Sequence, residues 1–169
     1  MNRITIYPEH VKNRISPFLL GHFAEQFRGN IPGGIYMPEN PLSDTDWMRT
    51  DVIEKMKEAA AYIVGEHDFK SFCCVRTQAE STVRTIYSLE VLQEGSEIII
   101  RIKGNGFLYN MVRIIAGTLI QVGKGRFKPE YVKQMLEAKD RTVAGQTAPP
   151  QGLTLVGIEY VDNDDARVV

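Results

Sequence analysis

A run of β-formers, Glu97-Ile98-Ile99-Ile100-Arg101-Ile102-Lys103, hands over to a helical pattern through Gly104-Asn105-Gly106. This strand–turn–helix is the feature that most constrains the chain. The two glycines supply the backbone freedom that such a turn needs. The helical pattern runs over residues 107–122 and stops at Gly123. Met111, Ile114, Ile115, Leu119 and Val122 share one apolar face by the i, i+3, i+4 rule. Arg113 lies off that face, about one turn before Gly117, which offers no side chain. An arginine there has two readings. It is a solvated helix residue, or a guanidinium held in a cleft to meet a carboxylate or phosphate in fork geometry.

Upstream, Val83 to Leu92 alternates: Val83, Thr85, Tyr87, Leu89 and Val91 on one face, Arg84, Ile86, Ser88, Glu90 and Leu92 on the other. Glu94-Gly95-Ser96 is a turn, so a hairpin with residues 97–103 is expected. Before it, Val52, Met56, Ala59, Ala60 and Ile63 make one side of a helix, with Gly65 as its C′ stop. His67 and Asp68 read as turn and strand-entry residues bonding backbone. Downstream, Pro129 suits N1 of another helix, with Val132, Met135 and Leu136 apolar. Asp140–Gln151 reads as a loop. Gly152–Val161 reads as a last strand, with Thr154, Val156, Ile158 and Tyr160 on one face and Leu153 and Leu155 on the other. Residues 162–169 form an acidic tail.

Charge gives little direction. Residues 59–160 carry 12 Lys/Arg against 10 Asp/Glu, so the middle is only mildly basic. Binding RNA would require those cations on one face. Cys73 and Cys74 are adjacent, and neighbours seldom have disulfide geometry, so a reducing compartment is expected. Two neighbouring thiols with scattered histidines do not form a zinc pattern. No apolar run approaches the ~20 residues of a membrane span, and no signal peptide opens the sequence. A cytoplasmic location is expected.

Phe107-Leu108-Tyr109-Asn110-Met111-Val112-Arg113-Ile114-Ile115-Ala116-Gly117 resembles the signature of the tRNA pseudouridine synthase A family. Residues 65–72, Val83-Arg84-Thr85-Ile86-Tyr87, Leu136–Arg141 and Thr147–Leu155 are similar to further motifs of its C-terminal domain, in the correct order. The resemblance covers about residues 54–160. It implies an α+β fold, an antiparallel sheet backed by helices, as one half of a two-part enzyme with tRNA over the cleft. The reaction it implies breaks the uridine C1′–N1 bond and rejoins C1′ to C5, without cofactor or metal, on a base taken out of its stack. It makes Arg113 the partner of a catalytic aspartate and Leu153 the apolar wall of the target base. Arg84, Lys103, Lys124 and Arg126 are weaker candidates for RNA backbone contact.

The family's aspartate nucleophile lies in a Gly-Arg-Thr-Asp-type motif of the other half, which also supplies a tyrosine against the base. Residues 1–53 contain neither that motif nor a plausible substitute for it. Thr45-Asp46 and Thr50-Asp51 hold only the dipeptide. An inactive half-site prone to self-association, including a homodimer, is therefore expected.

Residues 1–50 are interrupted by Pro8, Pro17, Gly21, Gly29, Pro32, Gly33, Gly34, Pro38 and Pro41, and read as an irregular arm. Ile15–Glu25, Gly33-Gly34-Ile35-Tyr36 and Asn40–Asp44 resemble the N-terminus of α-L-arabinofuranosidases with a (β/α)8 barrel. That resemblance, over about residues 3–53, makes Glu25 a remnant sugar-binding residue. Retaining hydrolysis needs two carboxyl groups about 5 Å apart, and one barrel strand cannot position them. Together the resemblances imply a chimera joined near Asp51–Glu58. The chimera arises from gene fusion, recombination or an assembly error, and one continuous DNA read across codons 40–65 separates them: a join that persists removes the assembly error, and a join that is lost establishes it.

Overall fold

The computed structural model describes residues 41–42, 49–74, 79–94 and 97–159. Helix α1 (Thr50–Ala61) leads to strand β1 (Gly65–Asp68), then β2 (Val83–Glu94), β3 (Glu97–Gly104), helix α2 (Met111–Gly123) and helix α3 (Tyr131–Ala138). The three strands form one antiparallel sheet in the order β1-β2-β3. The fold is α+β, as the resemblance implies. Met111, Ile114, Ile115, Leu119 and Val122 of α2 are all buried, in one core with Val52, Met56, Ala59 and Ala60 of α1 and Ile86, Leu89 and Val91 of β2. The apolar stripes of both helices therefore close on one side of the sheet, where burying them is favourable.

The hairpin forms as expected, with Glu94 opposite Glu97. Its alternation does not hold throughout. Ile86 pairs with Gly104 and Ser88 with Lys103, so Tyr87 is an extra residue, a β-bulge. The slip buries Ile86 together with Leu89 and Val91 and leaves Tyr87 and Val83 exposed. The single apolar face expected for Val83, Thr85, Tyr87, Leu89 and Val91 is corrected accordingly. Gly104 is required at the bulge: a Cβ there would sit 2.8 Å from the Thr85 carbonyl oxygen and 2.9 Å from Ile86 Cδ1.

Three element ends also move. Asn110 adopts φ 61°, ψ 6° immediately before α2, so the helix begins at Met111 and not at Phe107. A left-handed residue cannot continue a right-handed helix, and Asn tolerates that conformation. Helix α1 ends at Ala61, and Gly65, with φ 113°, opens β1 and does not cap the helix. Pro129 precedes α3: Tyr131, Val132 and Lys133 donate backbone bonds to Lys128, Pro129 and Glu130, a tightened opening turn that delays the helix.

The expected strand Gly152–Val161 is not formed over its described part. Pro150–Gly152 is a 3-10 turn, and residues 153–159 pair with no strand among the described residues. Leu153, Leu155, Val156 and Ile158 are 52%, 64%, 86% and 60% exposed. A strand needs a neighbour to satisfy its backbone groups, and β3 does not bond to this segment.

Asp68 ties β1 to its surroundings. It accepts from Thr82 Oγ1 at 2.5 Å and from the Lys70 amide at 3.2 Å, and pairs with Lys139 at 3.2 Å. The Thr82 hydroxyl, followed by Lys139 and the Lys70 amide, outweighs partial burial and holds its carboxyl below the usual range. A depressed carboxylate stabilises the fold above the unfolded value near pH 4, and that stability is lost as pH falls through the lower folded value. Urea titrations of Asp68→Asn below about pH 4 are expected to show a shallower acid loss than those of the parent; identical pH slopes would contradict this role.

Candidate functional site

The site is built on the start of α2 and the loop packed against it. Gly117 permits that packing, because a Cβ there would fall 1.7 Å from the Gln146 carbonyl oxygen. On the next turn of contact, Thr118 Oγ1 donates to Ile114 O at 2.8 Å and accepts the Gly145 amide at 3.0 Å. The loop is thereby sewn to the helix, and Ala148 N donates to Arg113 O at 3.0 Å.

Arg113 is half-buried at this seam. Its Nε donates to Ala148 O at 2.7 Å, and its Nη1 donates to Asn110 Oδ1 at 3.0 Å. The bland reading, a solvated helix arginine, is replaced by a guanidinium fixed from two sides. Nη2 has no protein partner among the described residues, and no carboxylate among them lies within ion-pair distance of Arg113. A planar fork held in this way is arranged to take an oxyanion. Asn110 is the residue that sequence reasoning missed. Its signal was an Asn directly before the apolar helical pattern, the residue type that combines left-handed backbone with a short acceptor.

Leu153 follows on the same loop, after the Pro150–Gly152 turn, and its amide bonds Pro150 O at 3.0 Å. Its side chain is among the exposed large apolar groups. The exposed set also includes Phe107 and Tyr109, which lie between β3 and Arg113 in sequence.

The four weaker cation candidates have separate local partners. Arg84 Nη1 donates to Ser81 O at 2.9 Å and to Val83 O at 2.6 Å, so that nitrogen is committed to backbone. Lys103 pairs with Glu159 at 2.7 Å. Lys124, at the C-terminal end of α2, is pushed below its usual range, first by burial and then by Arg126. Arg126 is exposed. Glu25 and Asp46 lie outside the described residues. Asp51 is engaged by Arg49 through bonds of 2.9 and 2.5 Å, which lowers its pKa ahead of the opposing effect of burial. Asp140 caps a 3-10 turn through the Thr142 amide at 2.9 Å. His67 bonds Val64 O at 3.1 Å and stands edge-on to Phe69, as the backbone-bonding reading expects.

Among the described residues no group of three or more His, Cys, Asp or Glu is placed to hold a metal ion, and no helix is long and apolar enough to cross a membrane. Cys73 and Cys74 are both unpaired thiols; burial raises the pKa of Cys73.

The turn between β3 and α2 thus leads to an arginine oriented by Ala148 O and Asn110 Oδ1. The family whose model is described as tRNA pseudouridine synthase matches residues 59–161, and the chain belongs to that family. It is 50% identical to tRNA pseudouridine synthase A of Exiguobacterium sibiricum over 111 residues, 66% of this chain and 45% of that protein. The corresponding protein of Bacillus subtilis is 52% identical over 111 residues, 66% of this chain and 44% of its own length. That of Brevibacillus brevis is 51% identical over 128 residues, 72% of this chain and 52% of its own length. The chain thus spans about half the length of the curated relatives it matches.

Arg113→Met is expected to lower stability by about 2 kcal/mol through loss of two charge-assisted bonds, read as a lower urea midpoint at unchanged slope. An unchanged midpoint would mean that the guanidinium does not anchor the loop. Gly117→Ala is expected to cost about 2–3 kcal/mol by overpacking, and a wild-type melting curve would contradict the close approach.

Proposed function

We propose that residues 54–161 form the C-terminal half of a tRNA uridine isomerase site, in which Arg113 receives the catalytic aspartate of the other half and Leu153 walls the target base. The observation that carries this reading is the Arg113 guanidinium, oriented by Ala148 O and Asn110 Oδ1 with no carboxylate beside it among the described residues. A fixed cation would hold an incoming carboxylate ionised and in line. The names of the relatives support tRNA as substrate, and an enzyme acting on tRNA fits a cytoplasmic location. Arg84, Lys103, Lys124 and Arg126 are assigned to tRNA backbone contact, Lys103 on exchange of its bond with Glu159.

Residues 1–53 are taken as an arabinofuranosidase-like segment joined to this half, with Glu25 as a relic and no glycosidase role. They supply no motif for the nucleophile. Loss of a covalent nucleophile typically removes several orders of magnitude of rate. The 169-residue chain alone accordingly binds tRNA without turning it over. Exposed Leu155, Val156 and Ile158 also favour self-association, including a homodimer.

The test is tritium release from tRNA labelled at uridine C5, beside a filter-binding titration over a range of salt. The expected result is no release above a boiled control, with binding that weakens steeply as salt rises. Release by the chain alone would show that another carboxylate acts as nucleophile. Absence of any salt-dependent binding would remove the RNA reading.

A further inference from the structure

Asn110 departs twice from the habits of its position. It is the cap residue of α2, where the backbone is normally extended and an Asn side chain accepts from the second or third amide of the helix. Here the backbone is left-handed, at φ 61° and ψ 6°, and the side chain makes no capping bond. Asp68 and Asp140 show the ordinary behaviour in this same chain. Both are extended, and their carboxylates accept from the Lys70 and Thr142 amides. Among the described residues the other non-glycine with positive φ is Lys139, and it follows the end of α3. A left-handed residue is common just after a helix. One placed before a helix asks for a further reason.

Arg113 supplies that reason. Asn110 Oδ1 accepts from Arg113 Nη1 at 3.0 Å, one helical turn away. The Asn110 carbonyl oxygen meanwhile accepts the opening bond of α2, from Ile114 N at 2.9 Å. Backbone starts the helix, and the side chain is released from capping to hold the guanidinium.

The residue type adds the second half of the argument, because local stability favours aspartate at this place. Aspartate visits the left-handed region as asparagine does. It interacts favourably with a helix N-terminus. It would also make a stronger, charge-assisted bond to the arginine. An amide offers the same oxygen without the charge. A carboxylate at position 110 would neutralise the guanidinium from inside the chain, whereas the amide orients it and leaves its charge uncompensated.

We propose that Asn110 is a positioning residue for Arg113, and that its neutrality keeps the guanidinium open to a carboxylate from outside this chain. This rests on the reading that the incoming group is the aspartate of the other half.

The experiment uses the full 169-residue chain, with acetate as the carboxylate probe at constant ionic strength. The Nε–H resonance of Arg113, identified by its absence from Arg113→Lys, is followed as acetate is added, and urea midpoints are measured in parallel. The parent is expected to give a saturable shift. Asn110→Gly keeps positive φ accessible and removes the acceptor. Acetate is expected to bind it about tenfold more weakly, in line with one charge-assisted bond. Asn110→Asp keeps the acceptor and adds the charge. Its urea midpoint is expected at or above that of the parent, with the acetate response lost. Stability and anion binding then move in opposite directions, which a purely structural residue does not produce. Three results would overturn the proposal: no saturable shift in the parent, an unchanged response in either variant, or losses in both that follow the urea midpoints. Acetate binding needs no tRNA. A parent that binds acetate at Arg113 but no tRNA would retain the role of Asn110 and remove the isomerase reading. Salt-dependent tRNA binding without an acetate response would retain the tRNA reading and remove the role of Asn110.

Discussion

The contact between α2 and the loop at residues 144–148 is the constraint on which the rest of the site depends. A helix and a loop can approach to this distance only where one of them has no side chain, and Gly117 meets that condition. The approach lets Ala148 exchange bonds with Arg113 in both directions, amide to carbonyl and Nε to carbonyl. It also places Gly145 on the Thr118 hydroxyl. A buried polar network of this kind is stabilising only when its members are satisfied. Arg113 is thereby fixed by backbone, which is stiffer than any surface side chain.

The sheet supports that seam from the other side. Gly104 ends β3 against the bulge in β2, and Thr85 and Asn105 close the turn with two bonds of 3.0 Å. The polypeptide then has only a short path, with Leu108 buried, before Asn110 turns it into α2. The position of Arg113 is therefore set at both ends of a short segment. Its side chain is half-buried, which keeps the fork within reach of a partner and limits solvent screening.

Much of this was legible in the sequence, for reasons that differ by residue. The hairpin and the core stripe of α2 were legible because their periodicity is local. Arg113 stood out because it departs from that stripe. The bulge at Tyr87 was not legible, since a one-residue slip leaves alternating apolar side chains almost unchanged. The start of α2 was misplaced because Asn110 carries a backbone conformation that no neighbour announces. Segment 153–159 has a strand's alternation, yet a strand forms only beside a partner, and its partner is a matter of topology. The local partners of Arg84 Nη1 (the Ser81 and Val83 carbonyls) and of Lys103 (Glu159) were not legible, since sequence does not show which exposed groups meet.

The central proposal is that Arg113, with no carboxylate beside it among the described residues, receives the catalytic aspartate of the other half. Complementation tests it most directly. The chain is mixed with the separately produced N-terminal half of a relative such as the Bacillus subtilis protein, and C5 tritium release from tRNA is followed for parent and Arg113→Lys chains. The account predicts release only from the mixture, and its loss by several orders of magnitude with Arg113→Lys. Equal release from the parent and Arg113→Lys mixtures would contradict it.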